Sequence, residues 1–146
     1  MESIVIKKVK DGSVYFTIQW SRLRKADKYE IIRNVPSVPG IYELYYEDRK
    51  KKLNLFFFAR AWYGGLRNAL REETDPEIVK DAPRKKILNT YDCYYRYSQL
   101  HSFGDMSDIL YFFESTYSPH NIQKEHSGRY ENIFLEEKSD DKIVTI

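Results

Sequence analysis

Arginines, carboxylates and tyrosines are the residues of this chain best placed to do chemistry. Arg67 and Arg71 stand four positions apart, so on a helix they share one face. A guanidinium offers paired donors to phosphate oxygens, and that face could hold a phosphate. A solvated basic face, paired with Glu72, Glu73 or neither, explains the same two residues. Glu114 follows Leu110 by four positions and precedes Tyr117 by three, at the border of an apolar stripe. A carboxylate there can lie against a sheet and still reach water. Arg49-Lys50-Lys51-Lys52 and Arg84-Lys85-Lys86 could touch phosphates, although charge runs in turns are more often simply solvated. Tyr91-Asp92-Cys93-Tyr94-Tyr95-Arg96-Tyr97 has the composition of a stacking platform for single strands. A strand with one face on a core and one in water explains it equally well. His101, His120 and His126 lack metal-ligand spacing, and the single cysteine, Cys93, reads as a core thiol rather than a nucleophile.

The elements that must position these residues follow from hydrophobic period and punctuation. Ile4 and Ile6, then Val14, Phe16, Ile18 and Trp20, alternate as in a half-buried hairpin, with Lys10-Asp11-Gly12-Ser13 as its turn. Residues 21–33 read as a short helix or an irregular connection. Val35-Pro36-Ser37-Val38-Pro39-Gly40 stops regular structure, and two strands follow, Ile41 to Glu47 and Leu53 to Arg60. The second is apolar on both faces and suits a central strand. Gly64-Gly65 opens a helix that Thr74-Asp75-Pro76 ends, and a short helix is expected around Pro76 to Lys80. Thr90 to Leu100 is a strand with Tyr91, Cys93, Tyr95 and Tyr97 on one face. Ser107 is expected to cap a helix running to about Tyr117, with Met106, Ile109, Leu110, Phe113 and Tyr117 as its apolar stripe. The tail holds one apolar cluster, Ile133-Phe134-Leu135, and a strand-like Lys142 to Ile146. The resulting order, β-β-α-β-α after residue 35, describes a small α+β domain with a three-stranded sheet.

Within residues 38–121 a family pattern emerges. Val38-Pro39-Gly40-Ile41-Tyr42 resembles the first motif of the GIY-YIG nuclease superfamily. Phe57-Phe58-Ala59-Arg60-Ala61 stands where that family carries its second motif, and Phe113-Glu114-Ser115-Thr116-Tyr117-Ser118-Pro119-His120-Asn121 resembles its glutamate helix with a Pro-x-x-Asn-like end. The resemblance covers somewhat more than half of the chain. It implies a GIY-YIG-like domain over 35–122 with a mainly antiparallel three-stranded sheet flanked by helices. An N-terminal hairpin and connector, 1–34, would pack on that domain, and 123–146 would form a polar extension.

The resemblance implies phosphodiester hydrolysis. Tyr42 would help to deprotonate the attacking water, Arg67 would stabilise charge on the phosphate, and Glu114 would hold one Mg²⁺ or Mn²⁺ ion. Arg60, Arg71, Lys51 and Asn121 would contact nucleic acid, DNA ahead of RNA. A free tyrosine has a pKa of about 10, so it serves as a base only beside a cation that favours its ionised form. Magnesium often needs a single protein carboxylate besides the substrate phosphate.

Several positions depart from the family pattern. Phe57 lacks the hydroxyl of the second-motif tyrosine, and Ala59 replaces its glycine. Counting without gaps from Phe57 puts Arg67 at the arginine position, whereas matching the helix pattern puts Ala69 there. Two functions are therefore expected from different classes: a divergent metal-dependent endonuclease, or a catalytically inactive GIY-YIG scaffold that binds nucleic acid or a protein. They part on whether Tyr42, Arg67 and Glu114 face one common groove.

Composition sets the outer bounds. The chain has 146 residues, with 24 basic against 22 acidic side chains, so any polyanion site must be a local patch. One cysteine allows no internal disulfide and no thiolate metal site. No apolar run approaches membrane-helix length and the N-terminus lacks a signal-peptide pattern, so the cytoplasm is the expected address.

Overall fold

A computed structural model describes residues 2–117 and 126–141. The fold is α+β, with helices on two sheets of mostly antiparallel strands. Two strands open the chain, β1 (Val5–Lys10) and β2 (Ser13–Gln19), joined by Asp11 and Gly12, both at positive φ. Such a two-residue turn follows the natural twist of the strands, which is why glycine stands there. The hairpin does not end the sheet. β7 (Asn132–Lys138) pairs in parallel with β2, so the Ile133-Phe134-Leu135 cluster of the tail completes a three-stranded sheet ordered β1-β2-β7.

The larger sheet is ordered β3-β6-β4-β5. β4 (Gly40–Glu47) lies between β5 (Leu53–Ala61) and β6 (Cys93–Gln99), antiparallel to both. The expected three strands are thus joined by a fourth, the two-residue β3 (Arg24–Lys25), within the stretch read as a short helix or an irregular connection. Among the described residues β5 pairs only with β4 and is an edge strand, not a central one, because the chain turns from it into a helix.

Helices cover both faces of this sheet. α1 (Lys28–Asn34) is capped by Asp27, whose carboxylate accepts from the Glu30 N–H, and gives out before Pro36. α2 is Gly65–Glu73, and α3 (Ala82–Thr90) starts at the Asp81 cap. The helix expected around Pro76 to Lys80 is a turn instead, because the Asp81 cap and Pro83 start α3 only after it. α4 (Phe103–Tyr117) starts four residues before the expected cap: Ser102 accepts from the Asp105 N–H, whereas Ser107 lies inside the helix and donates to the Phe103 carbonyl. Strand alternation divides the core in two. Ile41 and Phe58 point toward α4 and the inner face of β2, meeting Val14, Phe16, Ile18, Met106, Ile109, Leu110 and Phe113. Tyr42, Leu44, Phe57 and Tyr95 point the other way, onto α1 and α2 through Ile31, Val35, Leu66 and Leu70. Among the described residues no helix is long and apolar enough to cross a membrane.

Candidate functional site

The Gly40-Ile41-Tyr42 run is fixed by close packing. A side chain on Gly40 would put its Cβ 2.4 Å from the Ser98 carbonyl oxygen and 2.7 Å from Leu66 Cδ1. Glycine is therefore required for β4 to sit between β6 and α2. Two residues on, Tyr42 is 3 % exposed, and its ring lies 6.1 Å from that of Phe57. Burial pushes its hydroxyl well above the ordinary tyrosine value, Glu73 and Glu72 add to that, and Arg84 pulls only partly back. That environment opposes a tyrosinate.

Phe57, the residue expected from the sequence at the second motif, has its face covered. The guanidinium carbon of Arg84, from α3, lies 4.1 Å from the ring centroid. Arg84 also pairs with Glu73 of α2 and with Asp81 at 3.7 Å. Sequence reading noted Arg84 only as part of a basic run; the α2–α3 connection brings it back over the strand.

The arginine expected at a phosphate has another partner. Arg67 Nε donates to the Val35 carbonyl at 2.7 Å, which joins α2 to the end of α1. Ala69 instead packs against the cluster that contains Tyr42. Arg71 is exposed on α2 and lines a cleft with Lys28, Asn68 and Asp75. Arg60 points to the opposite face of the sheet, where it donates to Ser107 Oγ at 3.1 Å and lies 4.2 Å over the Phe103 ring. Lys51 is exposed in the β4–β5 turn, 3.8 Å from Glu47. Pro119 and Asn121 lie outside the described residues, as does the strand-like Lys142 to Ile146.

Glu114 is half-buried on α4. Its neighbour Phe113 packs edge-on to Phe58 at 5.4 Å and stacks with Trp20 at 6.4 Å, contacts that place α4 on the Ile41 face. The four-stranded sheet thus lies between Tyr42 and the helix that carries Glu114. Tyr42 and Arg67 come from one side and Glu114 from the other, so the three do not line one groove. Among the described residues no group of three or more His, Cys, Asp and Glu side chains gathers as metal ligands.

A buried charge network escaped the sequence reading altogether. Glu43 is 1 % exposed and accepts from Arg96 Nε at 2.6 Å and from the Tyr45 hydroxyl at 2.8 Å. Arg96 lies 4.6 Å over the Trp20 ring and 3.6 Å from Glu137, which accepts from Trp20 Nε1 at 2.8 Å. The one signal for it was a glutamate inside the apolar run Ile41-Tyr42-Glu43-Leu44.

A protein family described as "uncharacterised protein" matches residues 4–146. The chain belongs to that family. Its match takes in the hairpin and the tail as well as the strands between them. No curated protein and no solved structure matches the chain.

Proposed function

We propose that this chain is a GIY-YIG-like scaffold that holds nucleic acid without hydrolysing it. The observation that carries the reading is the sheet between Tyr42 and Glu114: a tyrosine base and a metal-holding carboxylate must meet one phosphate, and these two are on opposite sides. Three further facts support it. Phe57 has no hydroxyl, Arg84 lies across its ring, and Ala69 rather than an arginine packs on the Tyr42 cluster. The strand order β6-β4-β5, followed by α4, supports the scaffold half of this reading.

Binding is supported at the β4–β5 turn. Arg49, Lys50, Lys51 and Lys52 are all exposed there, next to Tyr46, whose ring lies 4.8 Å from Tyr91 and 5.9 Å from Phe56. Cations beside half-exposed aromatics suit phosphate and base contacts. The test is a nuclease assay with Mg²⁺ or Mn²⁺ on single-stranded, duplex and branched DNA and on RNA, run beside a salt-dependent binding titration. Binding without cleavage, weakened when Lys50 and Lys51 are both changed to Glu, is the expected result. Metal-dependent cutting that disappears in Glu114→Ala would overturn the proposal and restore the nuclease.

A further inference from the structure

The outer face of the β1-β2-β7 sheet carries an exposed aromatic stack flanked by lysines. Inner and outer residues alternate along each strand, and Val14, Phe16 and Ile18 face the core with Ile133 and Leu135. The register then puts Ile6 and Lys8 outward on β1, Tyr15 and Thr17 on β2, and Phe134 and Glu136 on β7. Tyr15 and Phe134 stack with centroids 5.0 Å apart and planes at 15°. They are 43 % and 46 % exposed, with Ile6 beside them at 45 %. Among the described residues, no helix or loop packs over this face.

Cross-strand stacking steadies a sheet, but it does not require rings left nearly half in water. The charges around these rings are unequal. Lys8 lies directly opposite Tyr15, Lys10 and Lys138 also face outward, and Glu136 is the single acidic side chain among the outward positions of the three strands. An aromatic face bordered by cations complements a chain of bases and phosphates: bases extend the ring stack, and the lysines meet the backbone. A duplex keeps its bases paired and would offer this face little beyond phosphates.

From this arrangement we infer that the outer face of the hairpin sheet is a stacking platform for single-stranded nucleic acid, read without base specificity. The surface is separate from the β4–β5 turn, so it stands or falls independently of the GIY-YIG-like reading. Electrostatic contacts from a few lysines imply salt-sensitive binding, and ring stacking implies a preference for single strands over duplex.

The test is fluorescence anisotropy of labelled oligo-dT and a matched hairpin duplex, titrated with the full chain at several salt concentrations. Wild type should bind oligo-dT more tightly than duplex. Tyr15→Ala should weaken that binding about tenfold or more, as expected for loss of one stacked base. Tyr15→Phe should retain it, and Lys8→Gln should reduce the salt slope by about one. These side chains are exposed, and circular dichroism would verify that each variant folds. Tyr15→Ala bound as tightly as wild type, equal or tighter binding of duplex, or no binding at low salt would each overturn the inference. So would a wild-type dimer in sedimentation that Tyr15→Ala dissociates, which would assign the face to a second copy. Binding lost only on changing Lys50 and Lys51 would overturn the platform while leaving the proposed function standing.

Discussion

The guanidinium carbon of Arg84 lies 4.1 Å above the centre of the Phe57 ring, at the strand position where the family pattern would set a tyrosine. This contact joins α3 to the edge strand β5, and the pairing of Arg84 with Glu73 joins α3 to α2. The ring contact is specific to a planar cation, because guanidinium lies flat on a ring and ammonium does not. Arg84→Ala is expected to cost about 1 to 2 kcal/mol in a urea melt, the sum of a partly desolvated ring contact and a weak ion pair. Arg84→Lys should recover only the smaller, ion-pair share.

Gly40 makes a second prediction, one that separates motif from mechanism. Its missing side chain allows the Ser98 carbonyl of β6 and Leu66 of α2 to close in on β4. Gly40→Ala should destabilise the fold by at least about 2 kcal/mol, since a backbone carbonyl cannot rotate away as a side chain can. Denaturation midpoints would measure it. The loss should be the same with and without nucleic acid or metal, as expected of a packing residue.

How much of this was legible beforehand varied with the physics involved. The strands over 41–47 and 53–60 and the apolar stripe of α4 were readable, because period and punctuation are local. The parallel partnership of β2 with β7 was not: its partners are over a hundred residues apart, and no local pattern encodes such a pairing. Ser107 was misplaced as a cap because Ser102, five residues earlier, offers the same chemistry, and the apolar stripe gives no phase to choose between them. That Tyr42 and Glu114 come from opposite sides of the sheet was hidden for a related reason. A motif order says which residues occur, but the face each one takes depends on strand parity and on which side α4 packs. Tyr42 and Ile41 are neighbours in sequence and belong to different cores.

Cys93 offers a check on that layering. Its thiol is buried, donates toward the Ile87 and Tyr91 carbonyls, and is pushed up to about 11 by burial, with Asp92 adding to the effect. Only the thiolate reacts with disulfide reagents, so labelling of the folded chain at pH 8 should be slow. The rate should rise by orders of magnitude in urea and follow the unfolding curve. Rapid labelling of the native chain would place β6 outside the core.

The last prediction concerns the pair at the centre of the sheet. Burial raises the Glu43 carboxyl above its ordinary 4.5, Arg96 pulls it back, Glu137 raises it further, and the Tyr45 hydroxyl bond lowers it. With the folded value above the unfolded one, the native state binds the extra proton between the two values. Stability contributed by this group is then greatest below pH 4.5 and falls as pH climbs through that window. Glu43→Gln removes the titration while keeping the shape. The stability difference, wild type minus Glu43→Gln, should therefore shrink from pH 4.5 upward and level off once the folded value is passed. At neutral pH, Glu43→Ala should cost roughly 3 kcal/mol because it leaves the Arg96 guanidinium buried without its nearest carboxylate. The double variant Glu43→Leu, Arg96→Met should lose far less than the two single changes added together, since it leaves neither Glu43 nor Arg96 buried without its partner. A difference curve that instead rises with pH would mean that Arg96 outweighs burial, and that the pair is ionised throughout.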